Sequence, residues 1–546
     1  MTTGADAVAA VLAATGTTVA FGVPGVHNHA LWPACTRAGI RVVGARHEQG
    51  VAFAADGYAR VTGDVGIALV TTGPGAANTI GAVGEAWAGR APVVVIASDV
   101  ATTIRRPGLV RGSLHEARDQ AALFRPVTKA TLEVPDAEGV GPAIAVARTL
   151  ALAPPSGPVY AGIPTDLLTG PAPAPPLTLP PTEPPAVDPD ALARAVELLR
   201  AARRPVVWVG GGARDAPDPV ARVAVQLGAP VVTTFQGRGV LPASHPLLVG
   251  APPHEPAVTA LLERADAALV VGSDLDGPNT QNWALPLPST TIAVNVDPED
   301  ATKNYAMDVV LEADASGALD AVTRALHDAE SAAREPWADV ATTRRAVRAD
   351  LDSDAGTAAG IAFVDRSAAA LPEDAIVFAD MAVPGYWLAG YLPVARPRAL
   401  HYPMGWGTLG FAFPAALGAA SAAPTRPVVS FSGDGGFLFA TGELAALAQE
   451  RSPVTAVVVD DGGYGMLRWG RAAEELDGLG TELRTPDFAA VARAFGVDAQ
   501  TVDGFGDDYQ RALAEAVTAG APRLLHVRGS LVPPRTTSPR WPRRAH

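Results

Sequence analysis

Two acidic clusters in the last third of the chain have the residue types and spacing of a metal-binding site. An apolar run at 428–431 meets Gly-Asp-Gly-Gly at 433–436, and a second run at 454–459 stops at Asp-Asp-Gly-Gly, residues 460–463. If both runs are strands of one parallel sheet, their carboxyl ends meet where open α/β sheets bind ligands. Carboxylate oxygens suit a hard cation such as Mg²⁺, and glycine lets the backbone approach an oxyanion. The segment predicts a clamp for a metal ion and a diphosphate, with an ordinary or decayed acidic loop as the alternative.

Similar strand-to-helix turns recur elsewhere and would position further polar residues. Four of them lie near the amino end, with Phe-Gly-Val-Pro-Gly-Val-His-Asn at 21–28, Arg-His-Glu-Gln-Gly at 46–50, Ala-Asp-Gly-Tyr-Ala-Arg at 55–60 and Thr-Thr-Gly-Pro-Gly-Ala-Ala-Asn at 71–78. A fifth, Gly-Trp-Gly-Thr-Leu-Gly-Phe-Ala-Phe-Pro at 405–414, precedes the acidic segment.

The order and spacing of these motifs resemble the thiamine diphosphate (ThDP) enzymes that act on 2-oxo acids. The family signature is a Gly-Asp-Gly followed some 27 residues later by paired Asn, and here Asp461 follows Asp434 by 27 positions. The chain departs from it in having Asp460 and Asp461 where the family has Asn, which adds negative charge beside a diphosphate. The resemblance implies ThDP and Mg²⁺ as cofactors.

The resemblance also implies a role for each matching residue. Glu48 would act as the carboxylate against N1′ of the aminopyrimidine, Leu409 would bend the cofactor, and the Gly407 carbonyl would accept from its 4′-amino group. The expected metal ligands are Asp434, Asp461 and the carbonyl of Gly463. The other residues expected at the cofactor are Pro24, Thr72, Asn78, Gly433, Gly435, Gly436, Tyr464 and Met466.

The substrate end of the site depends on histidines. His27 and His115 are the candidates for proton transfer, because imidazole titrates near neutral pH. Gln120 is expected to reach the same pocket, and His401 is a third histidine to consider. Each histidine could equally be a satisfied structural residue. The segment 464–469 resembles benzoylformate decarboxylase and would bound an apolar acyl pocket. The segments Pro-Gly-Val-His at 24–27 and Leu-His-Glu at 114–116 resemble guanidino-oxopentanoate decarboxylase and acetolactate synthase-like proteins instead.

We therefore expect non-oxidative decarboxylation of a 2-oxo acid to an aldehyde. The alternative is an acetolactate synthase-type carboligase. A third hypothesis, from a different functional class, is a non-catalytic ThDP-fold partner protein. In the family Glu48 and the metal motif come from different subunits, which implies a homodimer or homotetramer with active sites at the dimer interface.

The strand–helix rhythm predicts an α/β protein of three consecutive Rossmann-like parallel-sheet domains. We expect a pyrimidine-binding domain at 1–170, a central domain at 191–330 and a diphosphate-binding domain at 355–533. A Pro-rich linker is expected at 171–190 and a flexible tail at 534–546.

The central domain raises the alternative of a dinucleotide site. Gly210-Gly211-Gly212 follows a strand and Asp297 ends a later one, but the glycines do not have the dinucleotide spacing. The segment 272–279 replaces the arginine-bearing segment with which some relatives hold FAD, so no flavin is expected.

Composition excludes several other classes. The formal net charge of −14 argues against nucleic acid or an anionic membrane surface as a partner. The apolar runs have the length of strands and fall short of a membrane span. A single cysteine, Cys35, and no basic leader segment predict a cytoplasmic protein.

Overall fold

A computed structural model describes residues 2–106, 108–173, 186–329, 332–473 and 480–534. Residues 174–185 of the predicted linker and 535–546 of the predicted tail lie outside the described residues. None of the helices in the described part of the chain combines the length and the apolar character that a membrane crossing requires.

The first sheet has six parallel strands. The four inner strands are almost wholly buried, as parallel strands covered by helices on both faces must be, whereas the two edge strands are partly exposed. The strands are β1 (Val19–Gly22), β2 (Arg41–Gly44), β3 (Gly66–Val70), β4 (Val93–Asp99), β5 (Ala130–Glu133) and β6 (Val159–Pro164). The helices are α1 (Gly4–Ala14), α2 (Leu31–Arg37), α3 (Glu48–Thr62), α4 (Pro74–Ala77), α5 (Ile80–Ala88), α6 (Val140–Leu152) and α7 (Thr165–Thr169). The spatial order is β2-β1-β3-β4-β6-β5.

The second sheet has five parallel strands. They are β7 (Pro205–Val209), β8 (Val231–Thr233), β9 (Ala267–Val271), β10 (Thr290–Asn295) and β11 (Val309–Glu312), in the order β11-β10-β9-β7-β8. Its helices are α8 (Pro189–Ala201), α9 (Pro217–Leu227), α10 (Pro256–Arg264), α11 (Gly277–Thr280), α12 (Pro298–Thr302) and α13 (Ala315–Ala329). Helix α8 begins inside the predicted linker, where Pro189 occupies the first helical turn.

The third sheet has six parallel strands in the order β13-β12-β14-β15-β17-β16. The strands are β12 (Ile376–Ala379), β13 (Leu400–His401), β14 (Val428–Gly433), β15 (Val454–Asp460), β16 (Asp498–Asp503) and β17 (Arg523–Arg528). The helices are α14 (Val340–Asp352), α15 (Ala355–Ala370), α16 (Val383–Tyr391), α17 (Ala412–Ala422), α18 (Asp434–Leu438), α19 (Leu444–Glu450), α20 (Gly465–Ala473), α21 (Phe488–Ala494) and α22 (Asp507–Thr518). The prediction of an α/β protein with three parallel-sheet domains is confirmed, while the exact domain limits stay a prediction.

The first and third sheets share one topology, because each takes its strands in the chain order 2-1-3-4-6-5. Helices α3 and α17 hold corresponding places in the two and pack against each other. A Cβ atom at Gly57 would overlap the carbonyl oxygen of Ala415, and one at Gly418 would overlap that of Ala54. The two glycines therefore permit a close backbone contact that joins the two domains in one hydrophobic core.

Candidate active site

Asp434 lies where β14 leaves the third sheet. Its carboxylate accepts hydrogen bonds from two backbone amides, Oδ1 from Gly435 and Oδ2 from Gly463, both at 2.7 Å. Because β14 and β15 are neighbours, the two acidic clusters meet at one sheet edge. Burial, followed by the adjacent carboxylates, raises the pKa of Asp434 to about 7. A cation at this edge would favour the ionised form.

Asp460 is occupied by its own neighbours. Its Oδ2 lies 2.9 Å from His526 Nε2 and accepts from Thr485 Oγ1 at 3.2 Å, while Oδ1 accepts from the amide of Gly462. Burial acts against the charged form, but these bonds outweigh it and hold the pKa of Asp460 below its usual value. Asp460 therefore stabilises the loop.

Asp461 has a buried carboxylate oxygen that faces Arg468. Its Oδ1 has no hydrogen-bond partner, although Arg468 Nη2 lies 2.7 Å away. Within the described residues, no group of three or more His, Cys, Asp or Glu side chains could hold a metal ion by itself. A metal ion bound by Asp434, Asp461 and the carbonyl of Gly463 would thus need further oxygen ligands, and a diphosphate could supply them.

The glycines of the first cluster keep the turn open beside two side chains. A Cβ atom at Gly435 would lie 2.6 Å from Tyr464 Cε1, and one at Gly436 would lie 3.0 Å from Asp380 Oδ2. Tyr464 therefore lies against the turn. Met466, the second residue of α20, is half-buried against a core that the central and third domains share.

Glu48 opens helix α3 at the carboxyl end of the first sheet. Its Oε2 accepts a hydrogen bond from Asn78 Nδ2 at 3.0 Å, which brings together two residues that the sequence placed at the cofactor. Thr71 and Gly75 lie beside it, and a Cβ atom at Gly75 would meet Glu48 Oε1 at 3.3 Å. In the part of the chain that the structure describes, no hydrogen bond or ion pair joins Glu48 to the acidic clusters around Asp434.

The two predicted residues Thr72 and Gln120 also contact each other. Both the oxygen and the nitrogen of the Gln120 side-chain amide are hydrogen-bonded to protein atoms. Gln120 Oε1 accepts from Thr72 Oγ1 at 2.9 Å and from the amide of Gly73 at 2.6 Å. Its Nε2 donates to Ser98 O and Tyr160 Oη. Gln120 therefore positions the loop at Gly73, and a direct catalytic role stays a prediction. Pro24 is exposed on the neighbouring turn.

His27 and His115 form a pair. Their ring centroids are 5.3 Å apart, and the Nδ1 atom of each is buried with no hydrogen-bond partner. The backbone of His115 packs so closely on Gly73 that a Cβ atom there would overlap it. Burial, and then the charge of His115, lower the pKa of His27. His401 lies elsewhere, buried in β13, where it stacks on Phe378 and its Nε2 lies 3.1 Å from the carbonyl oxygen of Arg398. Its Nδ1 is also buried without a hydrogen-bond partner, and a role for it in proton transfer stays a prediction.

Two buried carboxylates hold the turn that carries Gly407 and Leu409. Glu85 Oε2 accepts from the amides of Gly407 at 3.0 Å and Thr408 at 3.3 Å, across the boundary between the first and third domains. Asp380 accepts from two amides further along the turn, that of Gly410 at 3.2 Å and that of Phe411 at 3.1 Å. Burial raises the pKa of Glu85 to about 7 and that of Asp380 to about 6. Leu409 is half-buried at the tip of this turn.

A matching contact is made by a carboxylate of the third domain, which holds a turn of the first domain. Glu443 of the third domain accepts from the amides of Arg46 and His47 at 3.0 Å, in the turn directly before Glu48. Burial raises the pKa of Glu443 to about 7 as well. Each domain thus supplies one carboxylate that holds the functional turn of the other.

Family models assign the three domains. The models described as thiamine pyrophosphate enzyme N-terminal TPP binding domain, central domain and C-terminal TPP binding domain match residues 2–123, 192–322 and 380–527. The probable 2-ketoarginine decarboxylase of Pseudomonas aeruginosa is 36% identical over 508 residues, which span 90% of this chain and 88% of that protein. The chain belongs to the thiamine pyrophosphate enzyme family. Thiamine pyrophosphate is ThDP, so the predicted cofactor is confirmed.

Other members of the thiamine pyrophosphate enzyme family are similar over nearly the whole chain. The probable acetolactate synthase large subunit of Methanocaldococcus jannaschii is 30% identical, over 96% of this chain and 91% of that protein. The solved structure of the ThDP-dependent 4-hydroxybenzoylformate decarboxylase from Rhodococcus jostii superposes with a TM-score of 0.82 at 26% identity, covering 97% of this chain and 99% of that one.

Sequence reasoning missed the residues that act on this thiamine pyrophosphate enzyme site through the backbone. They are Asn28, Glu85, Asp380 and Glu443, whose side chains accept hydrogen bonds from backbone amides. Asn28 is the last residue of the motif at 21–28, and its Oδ1 accepts a hydrogen bond from the amide of Gly25 at 2.7 Å. Glu85 and Glu443 carried no local signal, because their partners are hundreds of residues away in the chain.

The central domain of this family member contains a cavity of about 700 Å³ at its boundary with the first domain. Gly211, Arg214, Asp274 and Lys303 are among the residues that line it. Asp297, the acidic residue of the dinucleotide alternative, caps α12 by accepting from the amides of residues 299 and 300. The carboxylate of Asp297 is therefore used to cap this helix. The expectation that the protein binds no flavin stays a prediction.

Replacing Glu85 with Ala is expected to weaken ThDP binding by about tenfold, because a charged acceptor of two amides is lost. Glu85→Gln keeps an acceptor oxygen and is expected to stay near the wild type. Calorimetry measures the affinity, and amide hydrogen exchange of residues 403–412 reports whether the turn loosens. If both variants bind ThDP like the wild type, Glu85 does not position this turn.

Replacing Glu443 with Gln is expected to flatten the dependence of stability on pH. A carboxyl with a pKa raised from 4.5 to about 7 stabilises the folded state fully below pH 4.5, and this contribution is lost as the pH rises through 7. The shift corresponds to a free energy on the order of 3 kcal/mol. Thermal midpoints should therefore agree near pH 5 and favour the variant near pH 8.5. Parallel curves for the two proteins would contradict the raised pKa.

Proposed function

We propose that this protein is a ThDP- and Mg²⁺-dependent decarboxylase that converts a 2-oxo acid to an aldehyde. The observation that carries the proposal is the pair of His27 and His115 beside the loop at Gly73. Aldehyde release requires a proton on the carbon that loses CO₂, whereas a carboligase joins that carbon to a second carbonyl. Two imidazoles with unpartnered Nδ1 atoms suit delivery of this proton.

The chain's residues divide the remaining work. Asp434, Asp461 and Gly463 would hold Mg²⁺ with the diphosphate. The hydrogen bond of 2.7 Å from the amide of Gly463 to Asp434 Oδ2, which brings the two acidic turns together, supports this assignment. ThDP, when bound, supplies the electron sink that decarboxylation needs. Glu48 would hold the proton at N1′, with Asn78 fixing its carboxylate.

A carboligase of the acetolactate synthase type is the second candidate. It is favoured by the similarity to the Methanocaldococcus jannaschii relative over 96% of this chain. A non-catalytic partner protein is the third, since Asp460 and Asp461 add charge where the family has Asn. Titration of ThDP with and without Mg²⁺ tests the third candidate, because a non-catalytic partner would lack tight, metal-dependent binding.

Product analysis separates the first two candidates. The protein with ThDP and Mg²⁺ is incubated with a panel of aliphatic, aromatic and guanidino 2-oxo acids, including 2-ketoarginine and 4-hydroxybenzoylformate from the names of the relatives. Mass spectrometry is expected to find the aldehyde from one of them. Condensed hydroxyketones would instead identify a carboligase.

The proposal extends to assembly and compartment. A homodimer or homotetramer would bring Glu48 of one chain to the acidic clusters of another. Exposed apolar side chains near these turns support burial by a second copy, among them Val26, Leu114, Phe439 and Leu467. The one cysteine, Cys35, is buried and free, which is compatible with the reducing cytoplasm.

A further inference from the structure

The acidic edge of the third sheet brings three carboxyl groups to the ends of the neighbouring strands β14 and β15. Asp434, Asp460 and Asp461 meet there, and like charges at such distances repel one another more strongly when they are buried. His526 and Thr485 engage Asp460. How far the negative charge of Asp461 is offset then depends on the residues that contact it.

Arg468 contacts Asp461 at two points. Its Nη2 lies 2.7 Å from Asp461 Oδ1 and donates to the Asp461 backbone carbonyl, also at 2.7 Å. The pair is largely buried, with 24% of the Arg468 side chain and 14% of the Asp461 side chain exposed. An ion pair in this position is screened less by solvent than one on the surface.

A third residue fixes the guanidinium from the other side. Arg468 Nη1 lies 3.0 Å from Glu482 Oε2. The segment of Glu482 is itself tied to the acidic loop, since the amide of Leu483 donates to Gly462 O and the amide of Tyr464 donates to Thr481 O, both at 2.9 Å. Arg468 is thus held in place before any ligand arrives.

We propose that Arg468 is a positioning residue that offsets the charge of Asp461, so that the acidic loop accepts a diphosphate–Mg²⁺ pair with Asp in place of Asn. The inference rests on the proposed function, because it concerns the same cofactor site. The guanidinium engages Oδ1 and the backbone carbonyl of Asp461, and Oδ2 would be the oxygen offered to the metal.

A double-mutant cycle with Arg468→Gln, Asp461→Asn and the two combined tests the proposal. ThDP affinity is measured by calorimetry at fixed MgCl₂ without substrate, and thermal midpoints of the cofactor-free proteins are recorded. Arg468→Gln is expected to weaken ThDP binding by about tenfold when residue 461 is Asp and by less than about threefold when residue 461 is Asn, whatever the effect of Asp461→Asn alone. Arg484→Gln, an exposed arginine of the same region, is the matched control.

The outcomes distinguish the inference from the function beneath it. Losses that add in the double variant would show that Arg468 does not act through Asp461 and would overturn the inference alone. Unchanged ThDP affinity in Arg468→Gln with a raised KM would make Arg468 a substrate contact, which also overturns it. If the wild type binds no ThDP in the presence of Mg²⁺, the proposed function fails first. Should Arg468→Gln alone not fold, Arg468→Lys and the double variant are compared with the wild type instead. Both are expected to bind ThDP within about threefold of the wild type, because one keeps the positive charge and the other removes both charges. A tenfold loss in the double variant would overturn the inference.

Discussion

Replacement of Glu48 by Gln is expected to lower turnover of the 2-oxo acid by about 10²- to 10⁴-fold while ThDP remains bound. Glutamine can still accept the hydrogen bond that Asn78 Nδ2 donates at 3.0 Å, so the turn keeps its shape. It cannot exchange a proton with N1′ of the aminopyrimidine. The effect should therefore fall on kcat and leave the affinity for ThDP within a few-fold of the wild type.

A readout independent of the substrate makes this result decisive. Exchange of the thiazolium C2 proton with deuterium, followed by NMR after acid quench, should slow in Glu48→Gln in proportion to the loss of turnover. Glu138→Gln, an exposed glutamate of the same domain, is the matched control and should exchange like the wild type. Unchanged exchange in Glu48→Gln would remove Glu48 from its assigned role.

Replacement of Asp434 by Asn is expected to reduce ThDP affinity by about 100-fold or more and to abolish its dependence on Mg²⁺. Both carboxylate oxygens accept backbone hydrogen bonds at 2.7 Å, from Gly435 and Gly463. An amide would place an NH₂ group against one of these donors and would also remove the charge that a hard cation requires.

Asp461→Asn is the matched control for this second result. It changes the same chemical group at the same sheet edge, but the family pattern carries Asn there, so affinity should be kept. Calorimetric titrations of both variants over a range of MgCl₂ concentrations measure the difference. Equal losses in the two variants would show that Asp434 has no special place in the metal site.

The Glu48→Gln and Asp434→Asn variants together test the subunit arrangement. If each active site combines Glu48 of one chain with Asp434 of another, a hybrid dimer of the two inactive variants contains one intact site. Co-expression with two different tags, followed by purification on both, should therefore recover activity. A hybrid as inactive as its parents would place both residues in the same chain's site.

The sequence by itself determined the fold class and the family, because both rest on local patterns. Apolar runs of strand length predict strands, and glycine-rich turns with Asp434, Glu48 or Leu409 after them mark the places where parallel strands meet helices. Each of these signals is contained in a short stretch of about ten residues. The family pattern adds only their order and the 27-position spacing from Asp434 to Asp461, so no knowledge of packing was required to find them.

Only the tertiary structure decided which carboxylates hold the turns. Glu85 and Glu443 cap turns of the opposite domain because α3 and α17 pack against each other, and no local pattern encodes that contact. The same holds for the pairing of His27 with His115, for the burial of His401 and for the ion pair of Arg468 with Asp461. Each depends on where the backbone brings distant side chains, and burial then changes their hydrogen bonds and their pKa values together.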